Sequence, residues 1–168
     1  MKRDSMKQDH KDKALRGHVL YLLDGGGAHA KSDEVVADIP RQLLGQKPAR
    51  LPHSLWMLLE HLRITQRDIL DFSHNPEYVS PKWPEGYWPK MAAPPSPAAW
   101  TASVKQFRGD LKSMKDLVKD PKTDLFAKIP WGDGQTVLRE ALLLADHNAY
   151  HLGQMLDVRR LLGAWPEK

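Results

Sequence analysis

His147 and His151 stand four residues apart in the segment Asp146-His147-Asn148-Ala149-Tyr150-His151. At that spacing two imidazoles project from one face of a helix, one turn apart, where they can share a divalent metal ion. On a helical wheel Val137, Ala141, Leu144, Leu152, Met155 and Leu162 form an apolar stripe, with His151 inside it and His147 at its edge. Arg139, Asp146 and Asp157 lie on the opposite side. The pair therefore faces inward, as a buried metal pair must. Two histidines at this spacing also fit a hydrogen-bonded core pair, so a third inward ligand is what separates the readings. His61 supplies one: it lies beside Leu58 and Thr65 on the flank of a second apolar stripe, and across a helical bundle it can meet the other two. Three neutral imidazoles leave coordination positions open, the pattern of a catalytic rather than a closed structural site.

A zincin reading fails, because Asn148 follows His147 where H-E-x-x-H carries its glutamate. The chain has no cysteine, so disulfides, thiolate ligands and a cysteine nucleophile are excluded, and any metal is held by nitrogen and oxygen. Glu140, seven residues before His147, and Gln154, three after His151, are candidates to support the ligands from behind. Each is also readable as a solvent-facing helix polar; Asp68, seven residues after His61, is similarly placed to support that ligand and is also readable as a surface carboxylate. His18, beside Ala14, Leu15 and Leu22, reads as an interface histidine, and His53 as a residue that leads the chain into a helix. His10, His29 and His74 lie in polar or loop contexts.

The elements that position these residues are helices. A first runs from about Ser5 to Leu23, with Leu15, Val19 and Leu22 at helical spacing, and stops at Asp24-Gly25-Gly26-Gly27. Ser32, followed by Asp33 and Glu34, predicts the cap of a short helix before Pro40. A second long helix runs from near Ser54 to near Phe72, its stripe being Leu55, Leu58, Leu62, Thr65, Ile69 and Phe72. Residues 73–97 then carry seven prolines together with Tyr78, Trp83, Tyr87 and Trp88, which predicts a long, packed, aromatic loop that acts as a lid. A third helix spans about Pro97 to Lys119, and Thr136 caps a fourth that continues to about Leu162. Strand signals are almost absent. The expected fold is an all-α four-helix bundle with a long connection between helices 2 and 3, forming a single domain over residues 1–168.

Composition narrows the function classes. At 168 residues and 41% hydrophobic the chain can build one core. Its longest apolar run near the N-terminus, Val19-Leu20-Tyr21-Leu22-Leu23, is far short of the roughly 20 residues a membrane span needs. The first ten residues mix acids and bases without an apolar signal region, so the expected location is cytoplasmic. The net charge of +4 comes with interleaved signs, Lys2, Arg3, Lys7, Lys11 and Lys13 among Asp4, Asp9 and Asp12. That is a solvated helix face, and neither a nucleic-acid nor a membrane partner is expected. Exposed apolar residues on the last helix, such as Leu143 and Leu161, suit a homodimer.

The segments Leu58-Leu59-Glu60-His61-Leu62 and His147-Asn148-Ala149-Tyr150-His151-Leu152-Gly153-Gln154 resemble the DinB-like, or YfiT-like, family of bacterial metal-dependent enzymes, over nearly the whole chain. The resemblance implies a four-helix bundle, often dimeric, whose metal-binding triad maps onto His61, His147 and His151. Relatives include thiol-dependent isomerases and thiol S-transferases. It therefore implies an enzyme that uses a divalent metal ion, zinc or nickel before iron or copper, and an external low-molecular-weight thiol, which it transfers to a small electrophile. The alternatives are a metal-dependent hydrolase and a non-catalytic, metal-stabilised binding or stress-response module. A DNA polymerase also bears the name DinB, and nothing here resembles it.

Overall fold

The computed structural model describes residues 2–25 and 27–166, with side chains from Asp9 onward apart from Gly26. Within them the chain is all-helical: α1 Lys2–Leu23, α2 Ser32–Val36, α3 Leu55–His74, α4 Pro97–Lys119 and α5 Val137–Leu161, with 3-10 turns at Arg41–Leu43 and Glu85–Tyr87. The extended pairing among the described residues is an isolated bridge between Lys128 and Thr136. No described helix is long and apolar enough to cross a membrane.

Local chemistry accounts for the boundaries. Ser54 Oγ accepts the Met57 N–H at 3.2 Å and Thr136 Oγ1 accepts the Arg139 N–H at 3.1 Å, so each hydroxyl satisfies one of the unpaired donors at the start of α3 and α5. α3 runs on to His74, two residues past the expected end, until the Asn75 N–H closes on the Asp71 carbonyl. α1 begins earlier than Ser5, at Lys2, and ends where Gly25 takes a φ of 90° that a side chain would resist. Ser32 is the first residue of α2 and not its cap; Lys31 holds that position with no side-chain bond. On α1 the buried line runs through Val19 and Leu23, leaving Leu22 and His18 exposed, so His18 is not an interface histidine.

α1 and α3 each pack against both α4 and α5, and α2 lies on α5. The apolar interior falls into two main clusters. One holds Leu58, Leu62, Phe107, Leu152 and Met155; the other holds Val19, Leu70, Met114, Val118 and Leu144. On α3, Gln66 lies between Leu62 of the first and Ile69 of the second, and on α5 Asn148 lies between Leu144 and Leu152. These two amides meet across the helices: Asn148 Nδ2 donates to Gln66 Oε1 at 3.0 Å, and Gln66 Nε2 donates to the Phe107 carbonyl at 2.6 Å. A polar tie thus fixes the register of α3, α4 and α5 beside the histidines, and burial makes it costly to break.

Residues 75–96 join α3 to α4. Ser54 Oγ, besides capping α3, donates to the Ala92 carbonyl at 2.5 Å, and Gly45 meets Ala93 so closely that a Cβ there would lie 2.5 Å from the alanine methyl. The connection is held against the start of α3, with Tyr87 buried.

Candidate metal centre

α3 and α5 bring the three histidines together. One ring nitrogen from each of His61, His147 and His151 lies within 4.8 Å of the other two, in an arrangement that could hold a metal ion. His61 and His151 are buried and His147 half-buried. The Nε2 atoms of His61 and His147 are 3.1 Å apart. Among the described residues the cluster contains no carboxylate.

The outer nitrogens set the tautomers. His61 Nδ1 is 2.8 Å from the Tyr87 carbonyl, and because a carbonyl only accepts, this nitrogen carries the proton and Nε2 keeps its lone pair. His151 Nδ1 donates likewise to Gln154 Oε1 at 2.7 Å, and Gln154 Nε2 donates to the Tyr150 hydroxyl at 3.2 Å, which orients the amide. Lone pairs therefore point at the space the triad encloses. Two imidazole nitrogens 3.1 Å apart need a shared proton or a shared cation between them. Zinc–nitrogen bonds of about 2.0–2.1 Å around a tetrahedral ion put neighbouring ligand atoms roughly this far apart, so the donor set fits a divalent metal.

Charge state agrees with ligation. Burial lowers the His61 pKa, against the opposing pull of the Tyr87 carbonyl. Burial, then the proximity of His151 and His61, takes His147 down to about 3, and burial takes His151 down to about 4 although Gln154 favours its protonated form. All three are neutral at pH 7, the form that binds metal.

An aromatic wall flanks the triad. The Trp88 ring stacks on His61 with centroids 3.9 Å apart and planes within 2°, and His53 stacks on Trp88 at 4.1 Å. Tyr87 and Trp88 are both legible as loop aromatics, but no periodicity ties Tyr87 to a histidine 26 residues away or Trp88 to the same ring. Of the supporting residues expected from sequence, Gln154 reaches its ligand. Glu140 does not: it is buried, bonded to Arg139 at 2.5 Å, and two turns from His147. Asp68 is not a plain surface carboxylate either, since its Oδ2 accepts the Tyr87 hydroxyl at 2.8 Å. Asn75 to Ser96 thus contribute two groups, the Tyr87 carbonyl and the Trp88 ring, to the surroundings of one ligand. His74 Nδ1 donates to the Leu70 carbonyl at 2.6 Å, outside the cluster, and His29 is exposed.

Helices that bring three histidines from two of them together define a helical protein with a nitrogen-lined cluster that could hold a metal ion. More narrowly, the chain belongs to the DinB superfamily, whose family model matches residues 27–155 and so includes all three histidines. Members of that superfamily typically bind metal. No curated protein and no solved structure matches the chain.

Proposed function

We propose that the protein is a metal-dependent enzyme that binds a divalent ion, zinc or nickel, through His61, His147 and His151, and transfers a low-molecular-weight thiol to a small electrophile. The four long helices, read as a four-helix bundle, supply the rigid frame. The observation that carries the reading is the convergence of three histidine nitrogens in a cluster without a carboxylate. Three neutral imidazoles hold a cation without cancelling its charge. When bound, such a cation lowers the pKa of a coordinated thiol or water toward neutrality. A thiol made acidic in this way needs no protein base to become a thiolate, whereas a hydrolytic site ordinarily places a carboxylate or histidine base beside the attacking water. The ligand set among the described residues includes no carboxylate to act as that base, which favours thiol chemistry over hydrolysis. His61 and His151 are aimed by Tyr87 and Gln154, while Trp88 covers one face of His61 and keeps water from it.

Metal content of the purified, reconstituted protein comes first. Wild type should bind about one zinc or nickel per chain, and His61→Ala should bind at least tenfold more weakly. Cobalt-loaded wild type should then develop a thiolate-to-cobalt absorption band on adding 2-mercaptoethanol, and zinc-loaded protein should accelerate conjugation of that thiol to 1-chloro-2,4-dinitrobenzene. No stoichiometric metal would overturn the site. Metal without thiol coordination, together with ester or amide cleavage, would replace transfer by hydrolysis.

A further inference from the structure

We infer that Asp68 is a positioning residue for His61, acting through Tyr87. The chain of contacts is short and directional. The Asp68 carboxylate accepts the Tyr87 hydroxyl at 2.8 Å, and the carbonyl of that same tyrosine accepts the Nδ1 proton of His61 at 2.8 Å. One residue of the 75–96 connection is therefore clamped at both ends by α3, by its phenol on Asp68 and by its carbonyl on His61. Asp68 and His61 are two helical turns apart on one face of α3, so the helix itself sets the span that Tyr87 must bridge. Tyr87 is 8% exposed, and it sits in a 3-10 turn that packs on α3, so its ring has little freedom once the hydroxyl is fixed. Trp88 follows directly and stacks on His61, which ties the ring plane to the same anchor.

Burial and then the nearby Asp68 carboxylate raise the Tyr78 pKa, so Asp68 faces a second phenol of the 75–96 connection besides Tyr87. The other Asp68 oxygen, Oδ1, is buried without a hydrogen-bond partner among the described residues. A carboxylate that gives up hydration on one oxygen while it faces two phenols of a loop is costly to bury. The arrangement is understandable where the fastened group orients a ligand, since an imidazole ring free to turn exchanges Nδ1–H for Nε2–H and removes the lone pair from the triad. The inference rests on the proposed metal site for its purpose, but the tautomer it predicts exists in the metal-free protein and can be measured there.

Long-range proton–nitrogen NMR spectra of the metal-free, nitrogen-15-labelled chain report the tautomer of each histidine. Wild-type His61 should be a single Nδ1–H form. Tyr87→Phe, which removes one hydroxyl and keeps both ring and carbonyl, should make His61 a mixture of tautomers, and Asp68→Ala should do the same. Asp68→Asn, which keeps an acceptor oxygen of the same reach, should restore the wild-type spectrum. Zinc affinity should follow, falling about 10–100-fold in Tyr87→Phe and Asp68→Ala and recovering in Asp68→Asn. If Tyr87→Phe, folded by circular dichroism, retains a single Nδ1–H His61, the positioning role is overturned, whatever the zinc result. A protein that shows the tautomer changes but takes up no zinc would keep the positioning role and lose the proposed function.

Discussion

At the scale of single residues, the triad is a set of bases that the fold refuses to protonate. His147, held down to about 3, and His151, at about 4, stay neutral because burial removes the water that would solvate an imidazolium, and each neighbouring ring adds to the penalty. The consequence for stability has a definite sign. In the unfolded chain these histidines take up protons near pH 6.5, so below that pH the unfolded state binds more protons than the native one. Stability from this source is complete above about pH 6.5 and is lost as pH falls toward the native values of about 4 and 3. The metal-free protein should therefore have a Tm that is level from pH 7.5 to 6.5 and declines steadily toward pH 4. Carboxylates contribute in the same range, and His147→Ala separates the two: its decline should be shallower than that of wild type. Equal slopes in the two proteins would mean that His147 is protonated as easily folded as unfolded. Of these residues, His147 and His151 are legible from the spacing of one helix, whereas His61 rests on a second stripe and the family resemblance, and Gln154 is legible only as one of the candidate supports. Asp68 is legible only as a candidate two turns from His61, and its pairing with Tyr87 is not, because that depends on where a proline-rich connection returns.

At the scale of elements, the helices were legible and the segments between them were not. α4 spans Pro97–Lys119, the expected range, and α5 differs from its expected end by one residue, because both rest on period-3.6 stripes bounded by proline or a capping hydroxyl. α1 is mostly polar, so its stripe is poorly defined in sequence: Leu15, Val19 and Leu22 share helical spacing, but burial follows Val19 and Leu23. The 75–96 connection reads as a packed, aromatic loop, but its sequence does not say what it packs on. Its seat on α3 depends on a residue that sequence identified for another reason. Ser54 is fully buried, caps α3 through Met57 and donates to Ala92, so a single hydroxyl serves a helix start and a loop anchor. Ser54→Ala should cost about 1–2 kcal/mol in urea unfolding, the upper part of the range for losing a cap, because the Ala92 carbonyl loses its donor too. Limited proteolysis should in addition cut the variant faster within residues 75–96. A variant with wild-type stability and cleavage rate would show that the cap and the anchor are both dispensable.

At the scale of the whole molecule, the remaining question is what α5 does with the face it turns away from the core. Its inner side carries Ala141, Leu144, Leu152 and Met155 into the two apolar clusters, and the histidines leave from the edge of that side. Leu143, Tyr150 and Leu161 are seven and eleven residues apart, close to two and three whole turns, so they share one outer line. They are 38%, 63% and 62% exposed. Single exposed apolar residues are common, but an aligned series along a long helix suits a surface that packs against a partner, and a second copy of this chain is the partner proposed. Charged neighbours Asp146 and Asp157 border the line, and Arg160 pairs with Asp157 at 3.2 Å, which gives it a polar rim. A two-fold arrangement of two α5 helices would bury these residues and stiffen the helix that holds two of the three ligands. The protein is therefore expected to sediment as a homodimer at micromolar concentration, and Leu143→Glu combined with Leu161→Glu should shift it to monomer. In the folded monomer either substitution lies at the surface, so thermal stability measured below the dimer dissociation concentration should change by no more than about 0.5 kcal/mol. A wild type that sediments as a monomer would remove the interface. A double variant that remains dimeric would place the interface on another face.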